Sequence, residues 1–100
     1  MAKGNPQTKR FRAVAVGRVQ GVGFRYFAER EAVRLKLVGT VRNLANGNVE
    51  VVAQGPSDVL NEFLSKLREG PPLGWVEHVA IDWLTPESGL TTFSIKPTGW

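Results

Sequence analysis

The sequence predicts an α+β fold, a ferredoxin-like βαββαβ sandwich in which an antiparallel sheet of four to five strands carries two helices on one face. Two observations lead there. Apolar residues alternate with a period of two in several short runs and recur at offsets of three and four in two longer ones. Those runs follow one another as strand, helix, strand, strand, helix, strand, the split βαβ order. One hundred residues, 42% of them hydrophobic, make one core and leave no material for a second.

Met1 to Thr8 hold almost nothing apolar and are expected to form a flexible basic tail, leaving 9–100 as the single domain. Phe11, Ala13 and Ala15 alternate with Arg12, Val14 and Val16 in a first strand reaching Val19. A glycine loop follows, and then Phe24, Phe27, Ala28, Ala32 and Leu35 lie on one stripe of a helix that begins near Phe24. Val38 to Asn43 and Val49 to Gln54 flank Leu44-Ala45-Asn46-Gly47-Asn48, where Asn-Gly signals a hairpin. Ser57 is a good N-cap for a second helix whose stripe is Val59, Leu60, Phe63, Leu64 and Leu67, ended by Gly70-Pro71-Pro72. Val79, Ile81 and Trp83 mark a fourth strand, and Phe93 and Ile95 a short last one.

The net charge of +4 and pI near 10.0 invite a nucleic-acid partner. Lys3, Lys9, Arg10 and Arg12 stand near the start with no acid among them, and the remaining nine Lys and Arg balance the nine Asp and Glu. The excess therefore reads as a solvated basic end, and no nucleic acid is expected. No apolar run approaches the ~18 residues of a membrane span, and no leader precedes the first strand, so a cytoplasmic monomer without membrane contact is expected. The absence of Cys removes disulfides, thiolate metal sites and a Cys nucleophile together.

The chain is organised around Gly17 to Arg25, GRVQGVGFR. Gly21 and Gly23 allow the backbone to curl until the N–H groups from Gln20 to Phe24 converge into an anion-binding nest, backed by the N-terminus of the first helix. Arg25 falls in that first turn, where a cation opposes the helix dipole unless an anion lies between them. Its guanidinium can grip two phosphate oxygens, or it can simply pair with Glu29 one turn on, and spacing alone leaves both open. Asn43 either ends its strand in a turn or, because a ferredoxin-like topology brings that strand end beside the glycine loop, holds a water for attack on phosphorus. Arg42 should then point to the opposite face. His78, the one histidine, sits on the polar side of the fourth strand near Asp82 and reads as surface. With no metal-ligand cluster and no general acid near the loop, any bond cleaved there must release a weakly basic group. A carboxylate leaving phosphorus qualifies, whereas the alcohol of a phosphate monoester does not.

GRVQGVGFR, with GTVRN at Gly39 to Asn43 and NGNVEV at Asn46 to Val51, resembles the acylphosphatase family over nearly the whole chain after the tail. The resemblance implies hydrolysis of acyl phosphates to carboxylate and phosphate, with no metal or organic cofactor. It also implies that Arg25 is the phosphate-binding arginine, that Asn43 orients the water, and that the amides of Gln20, Gly21, Val22, Gly23 and Phe24 cradle the phosphate. Two rivals remain at this stage. An anion-binding module would use the same loop without turnover. An RNA-recognition motif shares the element order but needs aromatic rings on its third strand, which here reads Val49, Glu50, Val51, Val52, Ala53.

Overall fold

A computed structural model describes residues 7–100; the tail expected over 1–8 lies outside the described residues up to position 6. The elements are β1 (Thr8–Arg18), α1 (Phe24–Arg34), β2 (Val38–Asn43), β3 (Val49–Pro56), α2 (Ser57–Glu69), β4 (Trp75–Leu84) and β5 (Phe93–Ile95). They form a five-stranded sheet in the order β4-β1-β3-β2-β5, with β1 and β3 central. The ferredoxin-like α+β class is the one observed.

Strand alternation decides what each face carries. Phe11, Ala13 and Ala15 of β1, Val41 of β2 and Val49, Val51 and Ala53 of β3 all point to the helices and are almost fully buried. Phe24, Ala28 and Ala32, four residues apart on α1, and Leu60, Phe63, Leu64 and Leu67 on α2 close the core from above. Phe63 is its hub: its ring stacks on Phe11 at 6.4 Å and meets Phe93 edge-on at 6.0 Å. Burying one such side chain contributes about 1.5–3 kcal/mol, so these rings anchor both helices to the sheet.

Four sequence expectations change. Thr8, assigned to the tail, opens β1 and pairs with Pro56, because Ser57 donates its N–H to Gln7 O at 3.0 Å and draws the chain start into the sheet. Lys9 and Arg10 extend β1 back from the expected start at Phe11, although Lys9 stays exposed. Ser57 is the first helical residue, with Pro56 at the N-cap and no side-chain cap. The sheet is not wholly antiparallel, since β5 runs parallel to β2. After β4, on one edge, the chain crosses the bare face and enters beside β2 at the opposite edge, in the direction β2 already runs.

Turn chemistry sets the hairpin and the end of α1. The β2–β3 loop spans all of residues 44–48, where Asn46 accepts from the Asn48 N–H at 3.0 Å and Leu44 exchanges with Asn48 and Gly47. Helix α1 ends as Leu37 donates back to Ala32 O at 2.9 Å. Lys36 takes the left-handed conformation there, at φ 59°, where glycine is more usual.

Candidate active site

Strands β1 and β2 run in the same direction, each antiparallel to the β3 between them, so the loop after β1 and the end of β2 meet at one end of the sheet. The loop is pinned at both ends by buried side chains, Val19 before it and Phe24 after it. Between them Gly21 and Gly23 have φ values of 73° and 81°, and Gly23 is the N-cap of α1. L-residues rarely adopt that conformation, so the curl depends on glycine.

The helix start is bare. No side chain caps α1, no acidic residue lies in its first turn, and the Phe27 N–H, donating to Gly23 O at 3.0 Å, makes its first internal bond. Beyond the loop's own turn, none of the backbone N–H groups from Gln20 to Phe24 donates to an acceptor among the described residues. The loop is thus a row of donors at the positive end of a helix dipole.

Arg25 is half-buried and forms no hydrogen bond or ion pair with any described residue, Glu29 included. Asn43 shares the helix-side face with Val41. Its side-chain Oδ1 is buried without a donor among the described residues, while its backbone carbonyl accepts from Gly99 at 2.9 Å. Arg42 faces the other way, as alternation requires, and bonds Glu50. The glycine loop, Arg25 and Asn43 are therefore grouped at one end of the sheet. Arg18 and His78 are exposed and make no contact with that group through any hydrogen bond.

One contributor escaped the sequence reading, which used Gln20 only for its backbone N–H. Its side-chain Nε2 donates to Leu44 O and to Asn48 O, both at 2.8 Å, and so ties the glycine loop to the β2–β3 hairpin. Its partners lie 24 and 28 residues away, beyond any local spacing rule. Leu44, flanking Asn43, is buried and offers its carbonyl to the Gln20 side chain. Among the described residues no three His, Cys, Asp or Glu side chains gather to hold a metal ion, and no helix is long and apolar enough to cross a membrane.

Comparison with known proteins shows the family. A family profile described as acylphosphatase matches residues 11–95. An acylphosphatase of Koribacter versatilis is 45% identical over 92 residues, covering 92% of this chain and 82% of its own. One from Thermus thermophilus is 48% identical over 83 residues, covering 83% and 93%. The crystal structure of acylphosphatase from Bacillus subtilis superposes with a TM-score of 0.85 at 39% identity, covering 88% of this chain and 98% of that one. The motif-bearing segments all fall inside the matched range, and the chain belongs to the acylphosphatase family, hydrolases of the carboxylic-phosphoric anhydride bond.

Proposed function

We propose that this enzyme holds the phosphoryl group of an acyl phosphate in the amides of Gln20 to Phe24 and on Arg25, while Asn43 orients the attacking water. The observation that carries the proposal is a complementarity of unmet needs: donors without acceptors in the loop, and at the same end of the sheet an acceptor, Asn43 Oδ1, without a donor. A phosphoryl group satisfies the first, and a water donating to Oδ1 satisfies the second.

The reaction then needs little more than position and charge. In a loose transition state the equatorial oxygens carry the charge, and the loop N–H groups and the Arg25 fork meet it with preorganised donors. Water held by Asn43 adds to phosphorus in line with the departing carboxylate, whose weak basicity removes the need for a general acid. No side-chain base stands in the group, so the water's proton passes to a phosphoryl oxygen of the substrate. No residue of the group needs a metal ion or an organic cofactor for its part.

Hydrolysis of a simple aromatic acyl phosphate in excess chelator, alongside an ordinary phosphate monoester, tests this. The expected result is turnover of the acyl phosphate alone, unchanged by chelator. Turnover of the monoester at a similar rate, or loss of activity with chelator, would contradict it.

A further inference from the structure

The sheet face opposite the helices carries a second concentration of charge that the catalytic group does not use. Alternation places Arg10 and Arg12 of β1, Arg42 of β2 and Glu50 of β3 on this face. The β4–β5 crossover runs over it and is braced there by Gln54, whose side chain exchanges two hydrogen bonds with the Glu87 backbone at 2.7 and 2.8 Å. Between crossover and sheet lies a cavity of about 480 Å³, lined among others by Arg10, Thr40, Arg42, Ser94 and Lys96. None of residues 19–25 lines it, nor does Asn43.

The carboxylates present do not saturate these cations. Glu50 is engaged by Arg12 at 2.7 Å and by Arg42 at 2.8 Å, and Glu87 meets Arg10 only at 3.4 Å. Among the described residues the Arg10 Nε is buried without an acceptor and Lys96 forms no ion pair. A buried guanidinium N–H without a partner is costly, and it points to an acceptor that the described residues do not supply.

We propose that this cavity is a second anion site, distinct from the catalytic loop, which takes a small phosphorylated organic molecule. The volume is that of a small-molecule site and far exceeds a single phosphate ion. Its cations, Arg10, Arg42 and Lys96, come from three separate segments that line this volume. Thr40 and Ser94 add hydroxyl donors, which suit the several acceptor oxygens of a phosphate chain, and the arginines offer planar forks.

Tripolyphosphate is the probe, added to the full chain with inorganic phosphate already saturating the catalytic loop, and citrate is the carboxylate control. Backbone amide shifts are expected to move at Thr40, Ser94 and Lys96 and to stay fixed from Gln20 to Arg25. Replacing Arg10→Gln and Lys96→Gln together should weaken tripolyphosphate at least about tenfold, since two charge-assisted contacts are lost, while acyl phosphate turnover is unchanged. Binding should persist in Arg25→Ala. Shifts confined to residues 20–25, binding lost in Arg25→Ala, or tighter binding of citrate would overturn the proposal. If the double variant does not fold, the wild-type shift pattern decides alone.

Discussion

The Gln20 side chain donates to the carbonyl of Leu44 at 2.8 Å, so the glycine loop is tied to the residue that follows Asn43. The same nitrogen reaches Asn48 O at 2.8 Å, on the far side of the hairpin. One amide group therefore holds two chain segments in register, with the glycine-loop amides on one and Asn43 beside the other.

Gln20→Ala keeps the loop backbone but releases that tie. A misplacement of about 1 Å costs up to ~10² in rate, so kcat should fall by roughly ten- to a hundredfold. Loss of two part-buried hydrogen bonds should cost about 1–3 kcal/mol of stability. Gln20→Glu should be no better, since its carboxylate would face two carbonyls. Steady-state kinetics with urea unfolding checks both, and a Gln20→Ala enzyme of normal kcat would show that the tie does not position anything.

Asn43→Ala separates function from stability. The orphaned Oδ1 is a cost to the folded state, and removing it should leave stability unchanged or raise it by up to about 1 kcal/mol. Turnover should nevertheless drop by at least ~10² if the carboxamide places the water. Phosphate, measured as a competitive inhibitor, should bind nearly as before. A loss of phosphate binding with kcat preserved would make Asn43 a phosphate ligand instead.

Glu50 ties stability to pH. Burial alone would push its carboxyl up, but hydrogen bonds from Arg42 and Arg12, with their charges, hold it below the ordinary carboxylate value of 4.5. A lowered folded pKa means that the unfolded chain takes up the proton first as pH drops. The stabilisation is therefore complete above about pH 4.5 and drains away as pH falls through the lower, folded value. Glu50→Gln should cost about 1–3 kcal/mol at pH 7, toward the lower end because both guanidinium groups keep about a third of their surface in water. Denaturant unfolding at pH 7 and at pH 3 should show the gap between wild type and variant narrowing in acid. A gap of constant size would mean that Glu50 does not titrate with folding.

What the sequence made legible was local. Alternation from Phe11 to Ala15 and the stripe from Leu60 to Leu67 are short-range consequences of core packing, and both elements stand where the pattern puts them. The glycine loop was readable because positive φ at Gly21 and Gly23 is a single-residue demand. The grouping of that loop with Asn43 followed from topology alone. Non-local decisions stayed hidden. Arg10 and Arg12 look like a tail in composition, yet Glu87 and Glu50, far along the chain, hold them on the sheet. The parallel entry of β5 depends on where the crossover lands, which no residue in Phe93 to Ile95 encodes. Ser57 has the chemistry of a cap, but its N–H is taken by the Gln7 carbonyl where the central β1–β3 pair ends.

Arg25 carries the central claim, and the decisive measurement is hydrolysis of an aromatic acyl phosphate by wild type, Arg25→Ala and Arg25→Lys at matched folded concentration. Arg25 has no ion-pair partner among the described residues to lose, so both variants should fold normally. Losing the charged fork should lower kcat/KM by at least ~10²–10³ in Arg25→Ala, with only partial recovery in Arg25→Lys because an ammonium cannot reproduce two parallel N–H bonds. A folded Arg25→Ala enzyme that hydrolyses the acyl phosphate at the wild-type rate would contradict the assignment of this loop as the catalytic site.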